Sequence, residues 1–456
     1  MQATLSTTAL LKKVWSIASP MAASRLVNVI ASFMGILFVA RLGHAELAAS
    51  ALITATSLPL FLIASSPLFA ISVIVGHAYG AKQHESIGGI LQQSWLLSLI
   101  ISAFVIAIPL LIKPIFLALG QEAELTHIVQ SYFFVYAFAI PGLLCSVATS
   151  QVLVAIGKQR TVLWVNMINA VIFIILAPIL IYGKGLIPPL GVPGLALDWV
   201  LLSWINLIIY LLVFLKTKNW EIYKIFTWQI PHTFHFMKKI ISIGWPITLQ
   251  MASDLLCLFA ITIIVGWLGE NALAAQQIVT QYYILLVVPI LALSQAGGVL
   301  ISQARGAEDY HLIKRYANGT LLMGISFATL VTFIFIFFPH TLVKVYLHTH
   351  LETAETQELA SIVLILTGFR LIFDTIMEIK IGNLRGLFDT RWPMMIMLIS
   401  TWFLYIPIAY MLAFMFHFGL IGIQVANILM TLIGAVIVWL RWLKRSRKFV
   451  SYAIKT

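Results

Sequence analysis

Charge is what this sequence holds least of. Only 10% of its 456 residues are Asp, Glu, Lys or Arg, while 61% are hydrophobic; a soluble domain carries about a quarter of its residues as charges. An ordinary water-soluble globule is therefore excluded. Cysteine is nearly absent. Cys145 and Cys257 both fall in apolar runs, where buried free thiols are expected and a disulfide framework is not. No phosphate-binding glycine loop occurs, so nothing indicates that the chain hydrolyses ATP, and neither HExxH nor GxSxG is present. The histidines are scattered, and "HTH" at 348–350 has no second ligand cluster. An enzyme, a resident cofactor and a structural metal site are not expected. No small-residue cleavage site follows a short apolar core at the start, and the first apolar run continues past Arg25, so no cleavable signal peptide is read there.

What fills the chain instead is a succession of apolar runs of about 20 residues, the length that crosses a hydrocarbon core. About twelve are read, near 14–39, 49–75, 92–118, 127–155, 161–182, 193–216, 239–268, 275–303, 315–340, 357–384, 392–415 and 418–441. They are continuous rather than alternating, which favours helices over a barrel. The formal net charge of +12 is distributed unevenly. With both termini in the cytoplasm, that side collects Lys12, Lys13, Lys82, Lys158, Arg160, Lys216, Lys218, Lys224, Lys238, Lys239, Arg305, Lys314, Arg315, Arg385, Arg391 and the tail "RWLKRSRK". The far side then holds only Arg41, Lys113, Lys184 and Lys344. That asymmetry is the positive-inside pattern of a plasma-membrane protein, so membrane lipid is the expected surroundings and nucleic acid is not a partner.

The two halves of the sequence repeat each other. "RLGHAELAA" (41–49) matches "WLGENALAA" (267–275), "GHAYGAK" (76–82) matches "SQARGAE" (302–308), and "SPMAA" (19–23) matches "WPITL" (245–249), each pair 226 residues apart. "GVPGLAL" (191–197) and "GLIGIQV" (419–425) follow at 228. The expected fold is therefore an all-α membrane protein of about twelve transmembrane helices in two pseudo-symmetric six-helix lobes. Six spans per half give both halves the same orientation, the parallel kind of transporter repeat. The lobes are placed at 1–216 and 239–456, the second with a basic tail. A basic, aromatic cytoplasmic connector at 217–238 joins them. Gly43, Gly80, Gly269 and Gly306 are expected at helix C-termini. Pro20 and Pro246 fall early in their spans, where they can bend a helix.

Against that apolar background the charged residues stand out. "GFRLIFDTIMEIKIGNLRG" (368–386) places Arg370, Asp374 and Glu378 on one helical stripe at i, i+4 and i+8. Each such charge costs about 2.5–3.5 kcal/mol to insert. Lys380 is expected to snorkel and Arg385 to reach the headgroups. Two readings of the stripe are open: a fixed ion-pair row, or an ion pathway, since two acids face one base. The seventh run adds Asp254, with Gln250 one turn before it and no base nearby in sequence. Its counterpart in the first half is Asn28, and that of Asp374 is Cys145, so the acids belong to the second half alone. Polar groups that could line a cavity are Arg25 and Asn28 on one face with Ser32, Asn169 beside Asn166, Gln277 and Gln281. Tyr282, Tyr283 and Phe373 could hold a flat cation, although interhelical hydrogen bonding and packing would also explain these residues. Asp198 is placed at the membrane interface.

These segments in this order resemble the multidrug and toxic compound extrusion (MATE) family, bacterial NorM-like branch. The carrying stretches are "SPMAASRLVNVIASFMGILFVARLGHAELAASAL", "GHAYGAKQH", "WLGENALAAQQI", "ISQARGAED", "FDTIMEIKIGNLRG" and "WFLYIPIAYMLAFMFHFGLIGIQVAN". The resemblance implies a monomeric inner-membrane exporter that exchanges organic, commonly cationic, compounds for inward proton or sodium movement by alternating access. It places the coupling acids at Asp254 and Asp374, where a sodium ion would also bind; Glu378 lies outside the family's pattern and is read from the stripe itself as a weaker third. The family's first-lobe acids align with Gly35 and Ala177, so the first lobe lacks them. A lipid-linked sugar flippase of the same superfamily is the alternative, kept open by Arg25 and Arg370.

Overall fold

Turn chemistry cuts the apolar runs into helices, and it does so the same way in both halves. In the computed structural model, which describes residues 6–184, 188–216, 220–225, 234–346 and 354–453, the left-handed residue that ends a helix is not the repeat's glycine but its neighbour two positions on. Lys82 has φ 58° and Glu308 φ 56°. The amides one residue later, of Gln83 and Asp309, donate back to the carbonyls of Ala78 and Ala304 at 2.9 Å, closing the six-to-one bond that satisfies a terminal carbonyl. Gly43 (φ 157°) and Gly269 (φ 106°) differ from expectation in another way. They stand at the N-caps of the following helices rather than at C-termini, with backbone angles open to glycine alone.

The helices are α1 Thr7–Ala40, α2 His44–Gly80, α3 His84–Ala118, α4 Ala123–Tyr136, α5 Ala139–Ala155, α6 Gln159–Tyr182 and α7 Val192–Lys216, then α8 His235–Gly266, α9 Glu270–Gly306, α10 Tyr310–Phe337, α11 Pro339–Tyr346, α12 Ala354–Gly386, α13 Arg391–Met415 and α14 Gly419–Ala453. Among the described residues, eleven are long and apolar enough to cross a membrane. The pair α4 and α5, bent by 52°, brings the number to twelve when counted as one broken span. The chain is thus a multi-pass, all-α membrane protein. His348 and His350 lie outside the described residues.

The chain divides into two compact units. One is Pro20–Thr248; the other is Met1–Ser19 together with Leu249–Thr456. The divisions fall inside α1 and α8, next to Pro20 and Pro246, and not in the 217–238 connector. The connector's described part belongs to the first unit. There Ile225 is buried, its carbonyl accepts from Gln92 Nε2 at 2.8 Å, and Lys224 pairs with Glu85 at 2.8 Å.

In the second unit α12 packs against α9, α10 and α14, so the most charged span is also a central one. Small residues allow it. A Cβ on Gly382 would stand 2.3 Å from the Ser294 carbonyl oxygen, and one on Gly386 would stand 2.6 Å from that of Gly298. Lipid tails give helices no hydrophobic drive to associate, so close backbone contact of this kind carries the packing. In the first unit α5 packs against α3 and α7. Gly194 of α7 lies so close to α6 that its Cβ would meet the Leu180 carbonyl oxygen at 2.5 Å. Both cysteines are buried free thiols.

Gly382→Ala is expected to lower the thermal midpoint of the purified protein, at a cost of about 1–3 kcal/mol for overpacking. Gly266→Ala, which meets nothing within 4 Å, should leave the midpoint unchanged or raise it. Thermal unfolding in detergent compares the two.

Candidate functional site: a carboxylate and guanidinium cluster

The stripe on α12 is real, and it is more elaborate than its spacing suggests. Asp374 is buried, and its Oδ2 accepts from Arg370 Nε at 3.0 Å. The same oxygen accepts from the Tyr283 hydroxyl on α9, also at 3.0 Å. The Arg370 guanidinium lies 4.2 Å from the centre of the Tyr283 ring, so one tyrosine engages both members of the pair. Charge-assisted bonds of this kind are about twice as strong as neutral ones. For Asp374, then, the ion-pair reading of the stripe holds in this conformation.

One turn further along α12, Glu378 is half-buried. Its backbone carbonyl accepts from Ser294 Oγ at 2.7 Å. Arg385 does not reach out to headgroups as expected. It turns back, and its Nη2 donates to Gln250 Oε1 on α8 at 2.9 Å. This brings α8 to the cluster. Asp254, one turn after Gln250, lies within electrostatic reach of Glu378, Arg385 and Asp374. It is exposed, and among the described residues it has no hydrogen bond or ion pair. Beside it Ser253 accepts from the Trp402 indole at 2.9 Å.

Trp402 and Tyr405 are contributions that sequence reasoning missed. They sit in a π-helical stretch, Ser400–Tyr405, just before Pro407, and a second such stretch follows at Met411–Met415. Proline lacks the amide that would continue the α pattern, and each widened turn shifts the side chains that follow it. Pro407 inside an apolar run was the available signal. Tyr405 accepts from Asn427 at 3.1 Å and lies within reach of Arg370, Asp374 and Cys257.

Other expected residues lie elsewhere. The Tyr282 hydroxyl donates to the Leu342 carbonyl at 2.8 Å, and its ring packs on Phe335; its neighbour Tyr283 is the one that faces the acids. Gln277 and Gln281 are exposed, whereas Gln276 accepts from Gln424 at 2.7 Å. Phe373 is half-buried. Lys380 does not snorkel: it is only 1% exposed, its ammonium 4.9 Å and 5.4 Å from the ring centres of Trp439 and Trp442. Arg25, Asn28 and Asn169 belong to the other unit. There Asn28 is exposed and Arg25 half-buried, and Asn166 donates to Ser24. Asp198, expected at the interface, is fully buried. Gly35 and Ala177 both lie in apolar surroundings: Ala177 belongs to a cluster with Ala31, Phe173, Ile181 and Leu202, and the Phe173 ring fills the space beside Gly35. Among the described residues no group of three or more His, Cys, Asp or Glu is arranged to hold a metal ion.

The cluster therefore sets three carboxylates, Asp254, Asp374 and Glu378, against two guanidinium groups, Arg370 and Arg385. It is a coupled acid and base cluster in a bundle of membrane helices. The MatE family model matches residues 20–179 and again 246–411, two stretches that begin at Pro20 and Pro246. A probable multidrug resistance protein NorM of Burkholderia pseudomallei is 29% identical over 406 residues, covering 89% of this chain and 86% of that one. Another, of Bradyrhizobium diazoefficiens, is 25% identical over 436 residues, covering 95% and 93%. The solved bent form of the Vibrio cholerae MATE transporter VcmN superposes with a TM-score of 0.85 at 19% identity, covering 98% of this chain and 99% of that one. The chain belongs to the MatE family of multi-pass membrane transporters.

Removing one partner of a buried pair is worse than removing both. Arg370→Met should cost about 3–5 kcal/mol of stability, and the double variant Arg370→Met with Asp374→Asn should recover most of it. A double-mutant cycle on thermal unfolding measures the coupling.

Proposed function

We propose that this chain is a secondary active multidrug exporter of the bacterial inner membrane, working as a single chain with both termini in the cytoplasm. The reading rests on the family, on relatives named for multidrug resistance, and on the basic residues gathered on one side of the spans. One observation carries the mechanism: three carboxylates face two guanidinium groups, so the cluster is one positive charge short of neutral. A bare excess charge among membrane helices is costly. A proton or sodium ion from outside, or a cationic drug from inside, can each supply the missing charge. Two cations competing for one vacancy is the chemical basis of exchange.

Asp254 is the acid that takes the coupling ion. It is exposed and uncommitted, while Asp374 is held by Arg370 and Tyr283. Glu378, half-buried beside Arg385, is the second acid of the exchange. Neutralising the cluster favours whichever arrangement hides it best, and a ligand moves such an equilibrium only by its differential affinity for the two states. The bending points are Pro20 and Pro246, where α1 and α8 pass from one compact unit to the other. One charge crossing 100 mV yields about 2.3 kcal/mol, enough for roughly 50-fold uphill transport.

Asp254→Asn should abolish ion-driven transport in proteoliposomes while the protein still inserts and folds. Imposing pH and sodium gradients separately identifies the ion. Undiminished ion-driven transport by that variant would overturn the assignment.

A further inference from the structure

Asp198 of α7 has no part in the mechanism above, and it belongs to the other compact unit, Pro20–Thr248. It is 0% exposed. Neither of its carboxylate oxygens has a hydrogen-bond partner among the described residues, and no ion pair reaches it. No charged group on α4, α5 or α6, the helices packed against α7, is within electrostatic reach of it. One turn before it Gly194 rests on the Leu180 carbonyl. One turn after it Leu202 joins the apolar cluster of Phe173, Ala177 and Ile181. Two further acceptors on α6 and α7, Asn169 Oδ1 and Asn206 Oδ1, are buried without partners as well.

An ionised carboxylate in such a place, with neither a counter-ion nor a donor, is among the most costly things a fold can bury. Something positive must accompany it. A metal cation requires a shell of several oxygens, and on this face Asp198 is flanked by Gly194 and Leu202. A proton needs one oxygen. We propose that Asp198 is a second proton-binding site, built into the first unit, which carries its proton as a neutral carboxylic acid in this conformation and exchanges it when α6 and α7 admit water. The step is a simple transfer: the O–H bond at Asp198 breaks and the proton passes to water, and the reverse reloads it. The site is independent of the role given to Asp254, although its use in export rests on the exporter reading.

Infrared spectroscopy of the full-length protein in lipid tests this directly. The carbonyl stretch of a protonated carboxyl should be present in the wild type and missing one component in Asp198→Asn. The same component should persist in Asp254→Asn, which separates failure of this site from failure of the Asp254 assignment. In proteoliposomes, Asp198→Asn should lower the number of protons moved per substrate, or stop proton-driven export, with substrate binding within twofold of wild type. Asp198→Leu covers the case in which the acid is merely tolerated: it would then raise the thermal midpoint and leave proton-driven export intact. That result, or an unchanged carboxyl band in Asp198→Asn, would overturn the proposal.

Discussion

Charge buried among apolar helices must be cancelled by something close by, and the arrangement of the second compact unit follows from that constraint. Arg370 settles Asp374, with Tyr283 bracing both. Arg385 cannot settle both Glu378 and Asp254, and it is itself anchored to Gln250. At an effective dielectric of about 20, unit charges 4 Å apart still interact by about 4 kcal/mol. A single unbalanced carboxylate is therefore a term as large as the driving force from the membrane potential. The small-residue seam between α9 and α12 makes this possible, because it lets a helix with seven charged residues sit centrally in its unit.

The sequence displayed the scaffold clearly. Periodic apolar runs gave the spans, and a constant 226-residue spacing gave the repeat, which reappears as paired left-handed turns at Lys82 and Glu308. The stripe Arg370, Asp374 and Glu378 was legible because helical geometry fixes which residues share a face within one helix. Relations between helices were not legible, since nothing local fixes how one helix is rotated against another. Hence of the two tyrosines only Tyr283 reaches the acids, while Tyr282 turns to Leu342, and Gln276 rather than the exposed Gln277 finds a partner within the bundle. Arg385 turns inward to Gln250 for the same reason. Trp402 was hidden because the π-helical turns before Pro407 break the periodicity from which its face would be read. Lys380 shows that a long cation need not reach water when two indole rings receive it.

The two halves share a backbone plan but not a chemistry. Turns, prolines and small-residue contacts recur in both, while the guanidinium and carboxylate cluster exists only in the second. Where that half has Asp374, the first has Cys145, a buried thiol. Duplication supplied the frame, and the side chains that make a site were placed on one copy. In the other copy a single acid, Asp198, sits among apolar side chains.

Gly35 illustrates how firmly that division is now held. A Cβ added there would lie 3.1 Å from the tip of the Phe173 ring, and Leu195 crowds the same space at 3.6 Å. An aspartate at 35 would press on the tip of the Phe173 ring, part of the cluster around Ala177, and that ring would have to give by a few tenths of an ångström. Placing an acid at that position is therefore easiest in two steps, with trimming of Phe173 as the first. The intermediate with a smaller residue at 173 would carry a cavity and lose a few kcal/mol. A laboratory evolution campaign seeking a second ion site at Gly35 would do better to vary positions 35 and 173 together.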